Sequence, residues 1–393
     1  MTEAIYFDNA CTTYPKPEEV AQAVYAYITQ VGSNVNRSSY GRAYGAEEMV
    51  YDARERLCRF FGGDDCRNVV FTKNVTESLN VLLKGFLKPG DHVITTSMEH
   101  NAVMRPLTQL SRQGVAFSRA WCREDGSLPP GELEKCLRPN TRALVMTHAS
   151  NVCGTILPVE EAGAFCRAHG LRFFVDAAQT GGTVPIHMQE MHIDALAFTG
   201  HKGLLGPQGI GGFILGEDMP MELEPLLSGG TGSVSHKEEM PDFMPDRFEA
   251  GTLNLPGIAG LCAGLDWLEK TGIHRIARHE LDLTEQFLAG LNGLKARGLG
   301  IEILGKMGRE GRTGVVSIRT PGHGLAQTAA RLDEAYGIMT RVGLHCAPYA
   351  HRTLGTFPEG TIRFSFGWWN RAEQVEAAVE ALGRILAEES DGF

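Results

Sequence analysis

Short runs of β-branched and aromatic residues alternate along the chain with longer stretches whose apolar positions recur at helical spacing. The short runs cover 68–72, 92–96, 143–148, 172–176, 195–199 and 212–215. Helical patterns fall between them at 76–87, 101–113 and 159–169, preceded by two more at 17–31 and 46–61. Strands that are apolar on both faces and separated by helices predict a mainly parallel sheet in an α/β layer architecture. The pattern changes after residue 257, where helical stretches at 257–270 and 273–297 precede strand candidates at 301–304 and 314–319 and a last helix over 371–389. We therefore expect a large domain over residues 18–256 and a smaller α+β domain of residues 1–17 and 257–393, with the extended N-terminal segment folding back onto the second.

Composition narrows the function. With 393 residues, 43% hydrophobic and 21% charged, the chain is expected to form a compact enzyme-sized body rather than a disordered, collagenous or coiled-coil one. No apolar run reaches the length of a membrane span, and Met1 to Asp8 lack a basic stretch followed by an apolar core, so a cytoplasmic protein without a membrane partner is expected. A net charge of -10 leaves no basic footprint for nucleic acid. Nine cysteines without a C-x-x-C pair indicate reduced thiols, with neither a disulfide framework nor a metal site.

Two strand ends carry candidate chemistry. The run Phe173-Phe174-Val175-Asp176 is followed by Gln179, and Ala195 to Thr199 is followed by Gly200-His201-Lys202. Ligands bind at the carboxyl edge of open parallel sheets. A helix cap and a solvated loop lysine would explain Asp176 and Lys202 taken alone, but lysines number only 10 of the 37 basic residues, and this one lies in Gly200-His201-Lys202-Gly203. An amine, a carboxylate and an anion site together suit pyridoxal 5'-phosphate, which needs a lysine for its aldehyde, a carboxylate for its ring nitrogen and clustered donors for its phosphate. The backbone N–H groups of Val75 to Glu77 and the Thr76 hydroxyl form the predicted anion site, with helix capping alone as the plainer alternative. His100 and Asn151 follow other strand ends, the first offering a flat ring to stack on a pyridine. The glycines of Gly206 to Gly212 precede a strand instead of following one, which argues against a dinucleotide fingerprint. Cys346 lies beside His345 and five residues after Arg341, where positive charge would favour its thiolate, although a buried inert thiol is the plainer reading of one cysteine. Arg363, in the strand-like 361–365, has the geometry to hold a carboxylate by two parallel hydrogen bonds.

In order along the chain, Tyr6-Phe7-Asp8-Asn9-Ala10, Thr76-Glu77, Glu99-His100, Asn151 to Thr155, Asp176 to Gln179, Thr199 to Lys202, Gly251 to Asn254, His345-Cys346-Ala347 and Arg363 resemble the class V aminotransferase family of pyridoxal-phosphate enzymes. Within it they are most similar to the cysteine desulfurases and selenocysteine lyases. The resemblance spans nearly the whole chain and implies the fold type I transferase architecture. It implies Lys202 as the cofactor anchor, Asp176 against the pyridine nitrogen, Gln179 near the ring hydroxyl and His100 stacked on the ring and moving the substrate thiol proton. Thr76, Thr199 and His201 would hold the phosphate, joined by Thr252 from the other subunit of a homodimer. Asn151 and Arg363 would hold the substrate carboxylate, with Asn36 and Arg341 completing the substrate site, and Cys346 would accept sulfur as a persulfide while L-cysteine becomes L-alanine. Selenocysteine cleavage, transamination and C–S β-elimination are the alternatives. Asn36, Leu344 and Val75 depart from the family pattern, as do Cys11 and Cys153, for which small-residue packing is the simpler account. The short interval from Cys346 to Arg363 resembles the subgroup that needs a protein sulfur acceptor.

Overall fold

A computed structural model describes residues 4–35 and 40–388. Its larger sheet has seven strands, ordered Val69–Thr72, Gly211–Leu215, Ala195–Thr199, Arg172–Asp176, Thr141–Thr147, His92–Thr96 and Ala116–Ala120. Only Gly211–Leu215 runs antiparallel to its neighbours. Alternation explains why its strands are apolar throughout. Leu144, Met146, Phe173, Val175, Leu196 and Phe198 enter one core cluster, and Ala143, Val145, Phe174, Ala195 and Ala197 enter another on the opposite face. Helix Gly41–Phe61 covers the first face, and helices Val75–Phe86 and Asn101–Ser111 cover the second.

A second, antiparallel sheet is ordered Arg341–Gly343, Thr361–Ser365, Val315–Arg319 and Glu302–Leu304. Helices Ile273–Ala296 and Ala372–Ala387 pack on it to form a third core cluster. The N-terminal strand Ile5–Tyr6 pairs in parallel with Ile338–Met339 and brings Phe7 into that same cluster. Helix Leu255–Thr271 straddles the boundary at residue 257 yet buries Ile258, Leu261, Leu265 and Leu268 in the first cluster, with the large sheet. Among the described residues, no helix is long and apolar enough to cross a membrane.

Several elements were not expected from the sequence, edge strand Ala116–Ala120 and helix Leu325–Tyr336 among them. Edge strand Ala116–Ala120 is half-buried along most of its length and lacks the solid apolar run of its neighbours. Helix Leu325–Tyr336 buries Thr328 and Leu332 and packs Leu325, Ala329 and Tyr336, partly buried, against the third cluster.

Candidate functional site

The strands of the large sheet that run parallel to one another end at one edge, where Thr147 stands level with Asp176, and Thr199 with Gly211 and then Thr72. Asp176 is 3% exposed and its Oδ1 accepts from the Ala178 amide at 2.9 Å. Burial pushes its carboxyl up, opposed by that amide and by the Lys202 ammonium. The turn bearing Lys202 packs closely against the loop after Asp176: a Cβ on Gly203 would lie 2.4 Å from the Gly181 carbonyl oxygen, so only glycine fits there. Burial pulls the Lys202 amine down to about 8, against the charge of Asp176, which supports the ammonium.

His100 caps helix Asn101–Ser111, its Nδ1 accepting from the Ala102 amide at 3.0 Å. A neutral ring in that bond carries its proton on Nε2. Burial, reinforced by Lys202 and Arg341, pulls His100 down to about 4, so it is neutral near pH 7. Beside it, the fully buried Glu99 accepts from Thr96 Oγ1 at 2.6 Å and from the Thr147 amide at 3.0 Å, tying two strand ends together. Glu99 entered the sequence reading only as a motif member. Its buttressing role depends on the strand order, which spacing does not reveal.

Three buried polar atoms here have no hydrogen-bond partner: Thr199 Oγ1, His201 Nδ1 and Arg363 Nε. Buried polar atoms are normally satisfied, so a cluster of unpaired ones fits a polar ligand. At the expected anion site of Val75 to Glu77, one of the three backbone N–H groups is taken. Helix Val75–Phe86 is capped by Asn74, whose Oδ1 accepts from the Glu77 amide at 3.0 Å, while Glu77 Oε2 accepts from the Lys73 amide at 2.6 Å. The Glu77 N–H is thus already engaged, and Thr76 is exposed. Thr252 is also exposed and lines a cleft with Lys73 and Glu77 of its own chain. Sequence reading missed Lys16, whose Nζ donates to the His201 carbonyl at 2.6 Å and which burial pulls down to about 7. The scarcity of lysines was the available signal.

Arg363, Arg341 and Asn151, expected at the substrate carboxylate, are brought together, and each is already hydrogen-bonded within the chain. Arg363, 2% exposed, donates to the Asn151 carbonyl at 2.9 Å and to Asp8 Oδ1 at 2.7 Å. Arg341, directly opposite Arg363 across the strand pair, donates to Cys11 Sγ at 2.7 Å, so Cys11 is more than a small packing residue. Gln179 Nε2 donates to the Ala10 carbonyl at 3.1 Å. Asn36 lies outside the described residues. Cys346 is an exposed free thiol, as its loop is pinned at two points: Asn101 N donates to the Cys346 carbonyl and Asn151 Nδ2 to the His345 carbonyl, both at 2.7 Å. His345 and Cys346 hold φ of 47° and 57°, a left-handed pair that non-glycine residues adopt only under such restraint. A small cavity between the sheets is lined by Lys202, Gln179, Asn9 and Ser365, and also by Glu280, which burial alone pushes up to about 8. Glu280 carried no sequence signal, since helix Ile273–Ala296 is rich in charge.

An open, mainly parallel sheet whose edge gathers a buried lysine, a buried carboxylate and unpaired polar atoms defines an α/β enzyme body with a ligand site at its switch edge. The chain belongs to the class V aminotransferase family, whose model matches residues 5–378. It is 33% identical over 390 residues to a protein of Methanothermobacter thermautotrophicus named probable cysteine desulfurase, covering 98% of this chain and 95% of the relative. Its fold matches the apo structure of a cysteine desulfurase from Thermococcus onnurineus with a TM-score of 0.90 at 33% identity, covering 98% of this chain and 94% of that one. It also matches the cysteine desulfurase CsdA of Escherichia coli with a TM-score of 0.85 at 28% identity, with the same coverage of 98% and 94%.

Proposed function

We propose that the protein is a pyridoxal-phosphate-dependent cysteine desulfurase that converts L-cysteine to L-alanine and leaves the sulfur as a persulfide on Cys346. The observation that carries this reading is the anchoring of the Cys346 loop to the same edge that bears Lys202: Asn101, next to His100, and Asn151 both hold its backbone at 2.7 Å. A cysteine incidental to the chemistry has no need of that tether.

The unpaired Thr199 Oγ1 and His201 Nδ1 suit the cofactor phosphate, Asp176 the pyridine nitrogen, and Lys202 the aldehyde, with Gln179 and His100 against the ring. When bound, the cofactor supplies an electron sink that makes the substrate α-proton removable. Lys202, with its amine pulled down to about 8, is available as the base for that proton near neutral pH. Arg363 Nε, assisted by Arg341 and Asn151, orients the substrate carboxylate, a role that this reading extends to Asn36. His100, neutral near pH 7 with its proton on Nε2, is assigned to the substrate thiol as a hydrogen-bond donor. The Cys346 thiolate then attacks the substrate sulfur: the Sγ–S bond forms, the Cβ–S bond breaks, and the carbon fragment is released as alanine after protonation.

The assembly that fits this reading is a homodimer in which Thr252, exposed on its own chain, reaches the partner's phosphate site. Thr76 serves the phosphate through its hydroxyl and N–H. The testing experiment is product analysis with L-cysteine on wild type and Cys346→Ala. Wild type should yield alanine and Cys346→Ala none, with the yellow cofactor retained by both; pyruvate and free sulfide from wild type would show β-elimination instead.

A further inference from the structure

Three residues that follow Cys346 and two from edge strand Ala116–Ala120 form an unbroken column in which aromatic rings and guanidinium groups alternate. The Arg119 guanidinium lies 4.9 Å from the Phe117 ring centre and 3.7 Å from that of Tyr349, and the Arg352 guanidinium lies 5.7 Å from Tyr349 and 4.0 Å from Phe357. Tyr349 and Arg352 belong to helix Pro348–Thr353, which begins two residues beyond the thiol, and Phe117 and Arg119 to edge strand Ala116–Ala120. Rings on both sides hold each arginine in place, so little side-chain freedom is left to lose on binding.

Neither arginine has a carboxylate partner among the described residues, although Arg54, Arg172, Arg309 and Arg319 each pair with one or two. Arg119 Nε is in addition buried without a hydrogen-bond partner. Arg352 and Phe357 are exposed, Phe357 at 38%. The whole chain carries a net charge of -10, so an uncompensated cationic column beside the proposed nucleophile is a local reversal of its overall sign. Charges separated by more than roughly 8 Å are screened at physiological salt, so a partner at this surface meets the two arginines and not the net charge.

We propose that this column is the docking surface for a protein sulfur acceptor that presents carboxylates around its own acceptor cysteine. The proposal rests on the desulfurase reading above and names the partner of that site. Carboxylates next to a thiol hold it protonated, and pairing them with Arg119 and Arg352 removes that penalty as the acceptor docks. The acceptor thiolate attacks the terminal sulfur of the Cys346 persulfide. One S–S bond forms as another breaks, Cys346 departs as a thiolate, and the acceptor keeps the sulfur as a persulfide without any oxidant or reductant.

The test offers two cysteine peptides of equal length, one with aspartates flanking the cysteine and the other with lysines, to the cofactor-loaded enzyme after one turnover with L-cysteine. Peptide persulfide is read by mass spectrometry, and binding of the fluorescent serine analogues of both peptides is read by anisotropy. The aspartate peptide should accept sulfur and bind about tenfold better at low salt, and added salt should narrow that gap. The gap should collapse in the Arg119→Gln/Arg352→Gln double variant, while the first-turnover yield of alanine stays unchanged. Equal behaviour of the two peptides, a lysine preference, or a gap that survives the double variant would overturn the docking surface. A binding preference without any persulfide on Cys346 would instead overturn the activity reading, and with it the identification of the partner as a sulfur acceptor.

Discussion

Arg341 and Arg363 stand directly opposite each other across two antiparallel strands, and the N-terminal segment meets each: Arg341 donates to Cys11 Sγ and Arg363 to Asp8 Oδ1, both at 2.7 Å. Like charges facing each other across a strand pair are destabilising unless something compensates them. Asp8 supplies that compensation and Cys11 an acceptor, and they engage the same two guanidinium groups assigned to the substrate carboxylate.

Substrate must therefore compete with Cys11 for Arg341. Replacing Cys11 with alanine should lower KM for L-cysteine by up to about tenfold, the worth of one hydrogen bond to a charged group, with kcat little changed. Cys11→Asp should raise KM, because a fixed carboxylate holds Arg341 more tightly than a thiol. Steady-state alanine formation measures both, and an unchanged KM in the two variants would show that Arg341 does not touch substrate.

The Lys202 amine is pulled from its ordinary 10.5 down to about 8 by burial, while Asp176 acts in the opposite direction. Cofactor-free protein should thus take up pyridoxal phosphate at a rate that rises with pH through a midpoint near 8. Asp176→Asn should move that midpoint lower still, because the charge supporting the ammonium is gone. Absorbance-followed uptake across pH gives the midpoint; a value above 10, or an upward shift in the variant, would contradict the burial argument.

Glu280 lines the cavity shared with Lys202, and burial pushes its carboxyl from 4.5 up to about 8. Over that window the folded protein binds more protons at this group than the unfolded chain does, so its contribution to stability falls as pH rises from 4.5 to 8. Glu280→Gln abolishes this loss. The variant should be nearly as stable as wild type at pH 5 and more stable at pH 8.5, by on the order of 1–3 kcal/mol. Urea unfolding at the two pH values measures the difference.

Most of the large sheet was legible because its strands are apolar on both faces, and Asp176 and Lys202 were legible because the first ends such a strand and the second follows the next one. The half-buried strand Ala116–Ala120 escaped because its residues are neither solidly apolar nor cleanly alternating. Asn74 escaped because Thr76 and Glu77 drew attention to the wrong side of the helix start, and only the hydrogen bond to the Glu77 amide identifies the cap. Lys16, Glu99 and Glu280 are functional candidates because of what surrounds them, and surroundings are made by contacts far apart in sequence. The pairing of Arg341 with Cys11 joins positions 330 residues apart, which no local spacing can announce.

Locating the sulfur after a single turnover shows whether it leaves the substrate onto Cys346. Wild-type enzyme, loaded with cofactor, is given one equivalent of L-cysteine, digested without reductant and mapped by mass spectrometry. One added sulfur atom is expected on the peptide carrying Cys346, in amounts matching the alanine released. An unmodified Cys346, with sulfide in solution and pyruvate in place of alanine, would contradict it.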